Sequence, residues 1–166
     1  KKLMHKKGKI VLVGKAAAGK DYLRTRYENR GFVFGVSYTT RPPRKKANEQ
    51  ERVDYYFVNE DSFKNMIDND EFVEYQKFNG WYYGITKEEF ERCDVMILNA
   101  EAVDLLNEEY RGRCFVTYID IPIEVRRSRI VERNDPDDNF ERRIQADEDQ
   151  FRNFSNFDCR ITNHNF

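Results

Sequence analysis

The stretch Gly14-Lys15-Ala16-Ala17-Ala18-Gly19-Lys20-Asp21 decides the fold of this chain. It fits the phosphate-binding pattern G-x-x-x-x-G-K and follows the short β-branched run Lys9–Val13. A helical pattern begins at Lys20, so the loop has the strand–loop–helix context that the motif requires. Small residues allow consecutive backbone N–H groups to surround phosphate oxygens, and the helix N-terminus adds positive potential. The stretch therefore predicts a nucleoside triphosphate site on an α/β core.

Two side chains at the end of this loop carry charge. Lys20 is the fixed cation for the β- and γ-phosphates. Asp21 stands where the pattern usually has a Ser or Thr that binds Mg²⁺. Its carboxylate is either a hard oxygen ligand for Mg²⁺ or a first-turn acid that favours the helix dipole. The predicted ATP-binding residues of this segment are Gly14, Ala16, Ala17, Ala18, Gly19, Lys20, Asp21 and Tyr22, with Asp21 as the metal ligand.

Composition and charge restrict the class of protein. The chain has 166 residues, of which 39% are hydrophobic and 36% charged, which suits one globular domain. Apolar runs such as Ile10–Val13 are far shorter than the roughly 20 residues of a membrane span. A net charge of −1 predicts no nucleic-acid partner, whereas the basic clusters at 41–46 and 126–133 fit a small anionic ligand. In these clusters we expect Arg126 and Arg127 on a helix surface.

The cellular context follows from the cysteines and the N-terminal sequence. The 3 cysteines are widely spaced, which predicts no disulfide framework. The basic start is not followed by a signal-peptide pattern. We therefore expect a cytoplasmic protein that is a monomer or weak dimer.

Hydrophobic patterning predicts an α/β domain with a mostly parallel sheet. Helices are expected over Asn59–Ile67, after the strand Val95–Leu98, after Pro122, and along the stripe that includes Phe140, Ile144 and Phe151. Further strands are expected at Phe32–Phe34, Asp54–Val58, Cys114–Ile119 and near Ile161, and a loop at Ser37–Gln50. Asn79-Gly80 between Phe72–Phe78 and Trp81–Tyr83 is a strong hairpin signal.

The segment from Ser37 to Arg44 has the composition of an anion site. Arg41 and Arg44 lie on a segment that also contains Pro42 and Pro43. Arginine offers a planar fork that suits phosphate, and proline lowers the entropic cost of ordering a loop.

These motifs together resemble the guanylate kinase family. The phosphate loop, Ser37–Arg44, Val53–Val58, Glu71–Glu74 and Gly80–Gly84 follow in the order of that family. The arginines at 129, 133 and 143 resemble its lid, and 157–163 resembles its terminal strand and adenine-side loop. The resemblance covers nearly the whole chain.

The resemblance implies an ATP:GMP phosphotransferase that uses Mg²⁺ with ATP as phosphoryl donor. It implies a single domain over 1–166, with a P-loop core at 9–36 and 92–166 whose parallel sheet is flanked by helices. A small β-rich insert at about 37–91 would bind the nucleoside monophosphate, and an arginine-bearing lid would span about 129–143. Lys20, Arg41, Arg129, Arg133 and Arg143 are the implied catalytic residues, and Asn163 joins the ATP-binding set. The implied monophosphate-binding residues are Ser37, Arg41, Arg44, Tyr55, Glu74, Tyr83 and Glu101.

The chemistry of these residues agrees with that activity. Guanine presents N1–H and a 2-amino group side by side, and the Glu74 carboxylate can accept from both. Adenine would turn the N1 acceptor toward the same carboxylate. Phosphoryl transfer between two anions needs positioning and positive charge rather than a covalent nucleophile, and Lys20 with several arginines supplies both.

The chain departs from the family pattern at several positions. Ile85 stands where the family usually has a Ser or Thr that contacts the base, and Thr86 is the nearest replacement. Glu49 or Glu51 replaces the family's loop acid. Asn99 replaces a carboxylate near Mg²⁺, and we hypothesise that Asp21 restores that charge.

Two alternatives remain open from sequence. The acceptor is another nucleoside or deoxynucleoside monophosphate, because Ile85 lacks a hydrogen-bonding group. Alternatively, the chain is a non-catalytic guanylate-kinase-like interaction domain, a class that has lost the phosphate loop.

Overall fold

The computed structural model describes residues 8–45, 48–133 and 140–166, with the side chains of 131–133 and 140 outside the description. The strands are β1 (Lys9–Gly14), β2 (Ser37–Thr39), β3 (Tyr55–Phe57), β4 (Phe72–Phe78), β5 (Trp81–Thr86), β6 (Val95–Ile97), β7 (Cys114–Ile119) and β8 (Cys159–Ile161). The helices are α1 (Lys20–Glu28), α2 (Glu60–Asp68), α3 (Lys87–Arg92), α4 (Ala100–Leu105), α5 (Glu108–Gly112), α6 (Ile123–Arg133) and α7 (Phe140–Phe151).

The core sheet is parallel and has the strand order β6-β1-β7-β8. Its central strand β1 pairs with β6 on one side and with β7 on the other. Val11 and Val13 are buried on one face of β1 and Leu12 on the other, as expected for a strand whose two faces are both covered by helices. The predicted mixed α/β architecture with a parallel sheet is confirmed. All four core strands end at the edge where the phosphate loop begins.

A second sheet has the strand order β3-β2-β5-β4 and lies within the segment 37–86. β4 and β5 form the predicted hairpin, and its turn residues Asn79 and Gly80 have φ values of 53° and 88°. Positive φ at both positions is what a two-residue type I′ turn requires, and Asn-Gly adopts it at low cost. Glu74 on β4 faces Ile85 on β5 across the register.

Two of the predicted boundaries are wrong. Ser37–Thr39 was expected in a loop but forms β2, because the Thr39 hydroxyl donates to the Tyr82 carbonyl at 2.9 Å and the strand pairs with β5. The strand expected at Phe32–Phe34 is reduced to a single bridge between Phe34 and Val95.

The short helices begin at side-chain caps. Asn59, Thr86, Asn99 and Asn107 each accept a hydrogen bond from the backbone N–H three residues later. Such caps satisfy one of the unpaired N–H groups of the first turn. They explain why α3 and α5 form, although neither helix was predicted.

Arg126 corrects another expectation. Its side chain is 2% exposed rather than on the helix surface, and its Nε donates to the Ile121 carbonyl at 3.1 Å. Among the described residues, no helix is long and apolar enough to cross a membrane. The basic N-terminal residues 1–7, Lys46 and residues 134–139 of the predicted lid lie outside the described residues.

Candidate active site

A cleft of about 1240 Å³ lies where the phosphate loop of the core sheet faces the second sheet. Most of the predicted site residues line it together. These are Gly14, Ala16, Ala17, Ala18, Gly19, Lys20, Asp21, Tyr22, Ser37, Arg41, Arg44, Tyr55, Glu74, Tyr83, Arg129 and Arg143. Asn163 and Glu101 are exposed and are not among the lining residues, and the side chain of Arg133 lies outside the description.

The phosphate loop has the backbone geometry of an anion cradle. Ala17 has φ 60° and Gly19 has φ 105°, values at which a side chain is strained unless it is absent or small. A Cβ on Gly14 would lie 2.8 Å from the Ile119 carbonyl oxygen of the neighbouring strand. Glycine is therefore required at both ends of the loop, for curvature at Gly19 and for close packing at Gly14.

Lys20 folds back over the loop. Its Nζ donates to the Gly14 carbonyl and, at 3.4 Å, to the Lys15 carbonyl. Burial lowers the pKa of Lys20 to about 8, although the charges of Asp147 and Asp21 oppose the shift. Burial removes the water that would stabilise the ammonium charge of Lys20. A bound phosphate would stabilise that charge instead, because it carries the opposite charge.

Helix α7 holds the loop from the side. The Ala16 backbone N–H donates to Asp147 Oδ2 at 2.8 Å, and Lys15 pairs with Glu148 at 3.1 Å. Asp147 is 7% exposed, so this contact is largely shielded from water. Sequence analysis missed Asp147, because a charged residue in a helical pattern gives no signal of a contact 131 positions away.

Asp21 and Asn99 bear on the metal hypothesis. Asp21 is exposed in the first turn of α1 and lines the cleft. Asn99 also lines the cleft, but its Oδ1 accepts from the Ala102 backbone N–H at 2.9 Å and caps α4. The described residues contain no cluster of three metal-ligating side chains. One carboxylate still fits Mg²⁺, since this ion is commonly held by one or two carboxylates, substrate phosphates and water.

Arg41 is fixed by hydrogen bonds to two side chains, Glu49 and Tyr83. Its two terminal nitrogens donate to the two carboxylate oxygens of Glu49 at 2.7 and 2.8 Å, and its Nε donates to the Tyr83 hydroxyl at 3.2 Å. Burial alone would raise the pKa of Glu49, but the hydrogen bonds from Arg41 outweigh it and lower that pKa. Glu49 is therefore the acid that orients Arg41, whereas Glu51 accepts from the Phe57 backbone N–H.

Arg44 and Tyr55 complete this cationic corner. The Arg44 backbone N–H donates to Glu49 at 2.7 Å, and burial together with the charges of Arg41 and Arg143 lowers the pKa of its guanidinium. Burial raises the pKa of Tyr55 to about 12, so its hydroxyl remains a donor at neutral pH. The Tyr55 and Tyr83 rings meet edge to face at 6.1 Å. Two arginines and two phenols converge here, a donor set that suits a phosphate.

Glu74 lies farther along the second sheet, on a wall that also includes Ser37. The Glu74 side chain is 5% exposed, and its Oε2 has no hydrogen-bond partner among the described residues. Burial raises its pKa to about 8, with a smaller upward contribution from the charge of Glu101, while a hydrogen bond from the Ile85 backbone opposes the rise. A buried carboxyl with an unused acceptor suits a ligand that brings hydrogen-bond donors.

Neither Ile85 nor Thr86 lines the cleft. Ile85 is fully buried and packs in the hydrophobic core. Thr86 is also buried, and its hydroxyl accepts from the Glu89 backbone N–H at 3.1 Å and caps α3. The structure therefore does not bring Thr86, the predicted replacement for the missing donor, into the cleft.

Two arginines of the predicted lid, Arg129 and Arg143, lie at the cleft beside the phosphate loop. Arg129 donates to the Ala17 carbonyl at 3.0 Å and to the His164 carbonyl at 3.5 Å. Arg143 lines the cleft, and its positive charge lowers the pKa of both Lys20 and Arg44. Arg143 thus acts electrostatically on the donor and the acceptor sides of the cleft.

Comparisons with known proteins agree on one family. The family model described as "Guanylate kinase" matches residues 6–166. The guanylate kinase of Geobacter metallireducens is 33% identical over 138 residues, which cover 79% of this chain and 67% of that protein. The guanylate kinase of Latilactobacillus sakei is 33% identical over 168 residues, covering 93% and 80%. A crystal structure of guanylate kinase from Anaplasma phagocytophilum matches with a TM-score of 0.68 at 22% identity, covering 94% of this chain and 77% of that one.

Proposed function

The chain belongs to the guanylate kinase family, and we propose how its residues carry out the ATP-dependent phosphorylation of GMP. As a nucleoside-monophosphate kinase it is an enzyme, so the interaction-domain alternative does not hold. The observation that carries the assignment of residues is that a phosphate loop and a base-reading carboxyl line one cleft. Lys20 lies on the core wall of that cleft and Glu74 on the wall formed by the second sheet.

The wall formed by the phosphate loop and α1, called the donor wall below, binds the phosphates of ATP. Backbone N–H groups of Ala17, Gly19 and Lys20 surround the β-phosphate, and the Lys20 ammonium neutralises the β- and γ-phosphates. Mg²⁺, when bound, shields the charge on the transferred phosphoryl group, and Asp21 is the residue that would hold it. Asp147 keeps the loop in its curved form through the Ala16 N–H.

The wall formed by the second sheet and the loop that follows β2, called the acceptor wall below, binds GMP at two points. Arg41, Arg44, Tyr55 and Tyr83 hold the monophosphate, with Glu49 fixing the orientation of Arg41. Glu74, once ionised, accepts from N1–H and the 2-amino group of guanine, and the Ser37 hydroxyl makes an additional polar contact. The monophosphate is thereby directed toward the phosphate loop, so that its oxygen attacks the γ-phosphorus in line.

The lid arginines stabilise the charge of the transition state. Arg129 and Arg143 flank the loop and contribute positive potential where the phosphoryl group moves. Arg133, which lies on the same helix as Arg129, is proposed as the third member of this group. Asn163 and Glu101 stay proposals for the edges of the adenine and guanine sites. A cytoplasmic location is likewise proposed, consistent with three free cysteines, as is a monomer or weak dimer.

The test is ADP release from ATP and Mg²⁺ with a panel of ribo- and deoxyribonucleoside monophosphates. We expect turnover with GMP and dGMP, and turnover at least 100-fold slower with AMP, CMP and UMP, because Glu74 repels the N1 acceptor of adenine. Equal turnover with AMP would contradict the role of Glu74. An absence of turnover with every monophosphate, in protein that binds ATP, would contradict the catalytic assignment.

A further inference from the structure

The acceptor wall carries a second buried polar side chain that no role above accounts for. Gln76 is 6% exposed, lines the cleft, and has an amide Oε1 without a hydrogen-bond partner among the described residues. It lies two positions after Glu74 on β4, and alternate residues of a strand point to the same face. The two adjacent side chains on this face therefore each hold an unused oxygen.

An amide in this position is costly for the unliganded protein. A buried polar atom without a partner destabilises the fold, and a ligand that supplies the missing partner is one explanation for such an atom. The glutamine amide offers two N–H donors and one carbonyl acceptor. Because Oε1 has no protein partner among the described residues to hold the amide in this orientation, the amide can turn by about 180° and present its Nε2 donors to a ligand in place of Oε1.

The register places Gln76 between Glu74 and the Arg41 corner of the cleft. Glu74 is opposite Ile85 and Gln76 is opposite Tyr83, whose hydroxyl contacts Arg41. Residues two apart on a strand are about 7 Å apart. In guanine the 6-keto oxygen follows N1 on the same edge of the ring, so a base that meets Glu74 with N1 and the 2-amino group has this oxygen within reach of Gln76 when the edge runs along β4.

Two other candidates for contacting that oxygen do not line the cleft. Ile85 has no donor and packs in the core, and Thr86 is buried, with its hydroxyl at the cap of α3. Ser37 offers a single hydroxyl from β2, and the Tyr83 hydroxyl contacts Arg41. Among the residues of β4 that line the cleft, Gln76 carries the neutral donor.

We propose that Gln76 is a second base-reading side chain, whose amide Nε2 donates to the 6-keto oxygen of guanine while Glu74 accepts from N1 and the 2-amino group. This inference rests on the proposed function of the site. It assigns to β4 both halves of guanine recognition, an acceptor for its donors and a donor for its keto oxygen.

The test is a double-mutant cycle that combines a substitution of Gln76 with a change at the 6-keto group of the nucleotide. Dissociation constants are measured by calorimetry for GMP and for 6-thioguanosine 5′-monophosphate, which keeps the N1–H and the 2-amino group and has sulfur, a weaker hydrogen-bond acceptor, in place of the 6-keto oxygen. In Gln76→Met, a change of similar length without hydrogen-bonding groups, we expect GMP to bind about tenfold more weakly. The analogue should change by less than about twofold, because its sulfur accepts the hydrogen bond only weakly in the unmodified protein. Tyr75→Leu, on the exposed face of the same strand, is the matched control and should alter neither constant.

A loss that is equal for GMP and the analogue would overturn the proposal, since it would reflect a structural role of Gln76. Unchanged GMP binding would overturn it as well. Gln76→Leu gives a second measurement of the same ratio if the Met variant does not fold. Failure of the proposed function itself is distinguishable, because the unmodified enzyme would then neither bind nor phosphorylate GMP.

Discussion

The two walls of the cleft differ in the groups that bind the ligand and in how the chain brings those groups together. The donor wall is a continuous stretch, in which backbone N–H groups and one lysine bind the ligand and Asp147 already satisfies one loop N–H. The acceptor wall is assembled from separate strands, and Glu74 and Gln76 each have an oxygen that finds no partner in the part of the chain that the structure describes. The donor wall is thus general for phosphate, whereas the acceptor wall is incomplete until a specific base supplies the missing groups. The comparison predicts that changes on one wall leave binding at the other intact.

The largest effect is expected from the donor wall. Lys20→Met removes the cation that neutralises the β- and γ-phosphates, so kcat should fall by about 10³-fold. The KM for GMP should stay within about twofold, because no acceptor contact changes. Steady-state kinetics with each substrate varied in turn measures both. A comparable loss of GMP binding would show that the two walls are not independent.

The next effect concerns the acceptor wall. Glu74→Gln replaces a two-site acceptor with an amide that offers only one acceptor, so kcat/KM for GMP should fall by about 100-fold. The KM for ATP should remain unchanged. Tyr75→Leu again serves as the control from the opposite face of β4.

The same substitution should stabilise the unliganded protein in a pH-dependent way. The pKa of Glu74 is about 8 in the folded chain, above its ordinary value, so the folded state binds the proton more tightly than the unfolded chain. The stability that this carboxyl contributes is therefore present at acid pH and is lost as the pH rises through about 8. Thermal melting should show that Glu74→Gln gains stability relative to the unmodified protein at pH 8 and not at pH 5. An equal gain at both pH values would rule out ionisation of Glu74 as the cause.

Opposite pH dependences should distinguish the two substrates. Guanine recognition needs ionised Glu74, so kcat/KM for GMP should rise with pH toward about 8. Phosphate binding needs protonated Lys20, so kcat/KM for ATP should fall above about 8. Each profile should change by up to about tenfold per pH unit at its steep end. Glu74→Gln should flatten the GMP profile below pH 8 and leave the ATP profile unaltered.

The smallest effect is expected from Asp147, whose carboxylate accepts from the Ala16 N–H of the phosphate loop. The charge of Asp147 raises the pKa of Lys20 against the effect of burial. Asp147→Asn keeps an acceptor for the Ala16 N–H but removes the charge, so the fall of kcat/KM for ATP should begin at lower pH. The GMP profile is the internal reference. A fall that began at the same pH as in the unmodified enzyme would show that Asp147 acts on the loop only through its hydrogen bond.

The same contrast explains what could be predicted from sequence. The phosphate loop, β1 and α1 are contiguous, so pattern alone identified them, and the Asn79-Gly80 turn likewise has a local cause. Arg41 was identified, but its partner required a choice between two nearby glutamates that only the folded strands resolve in favour of Glu49.

Contacts between distant segments had no local signal. Asp147 reaches the loop from α7 across 131 positions, and the role proposed for Gln76 depends on which face of β4 is buried. Arg126 was expected at the surface because arginine usually lies there, but its side chain is buried, and its Nε donates a hydrogen bond to the nearby Ile121 carbonyl. In each case tertiary packing outweighs the general preference of the residue type.

The most direct test of the account is a crossed binding experiment with one variant from each wall. GMP and a non-hydrolysable ATP analogue are each titrated into Lys20→Met and Glu74→Gln by calorimetry. The account predicts that Lys20→Met binds GMP normally and loses the ATP analogue, and that Glu74→Gln does the reverse. Loss of both ligands in either variant would contradict two separately built walls that meet at one cleft.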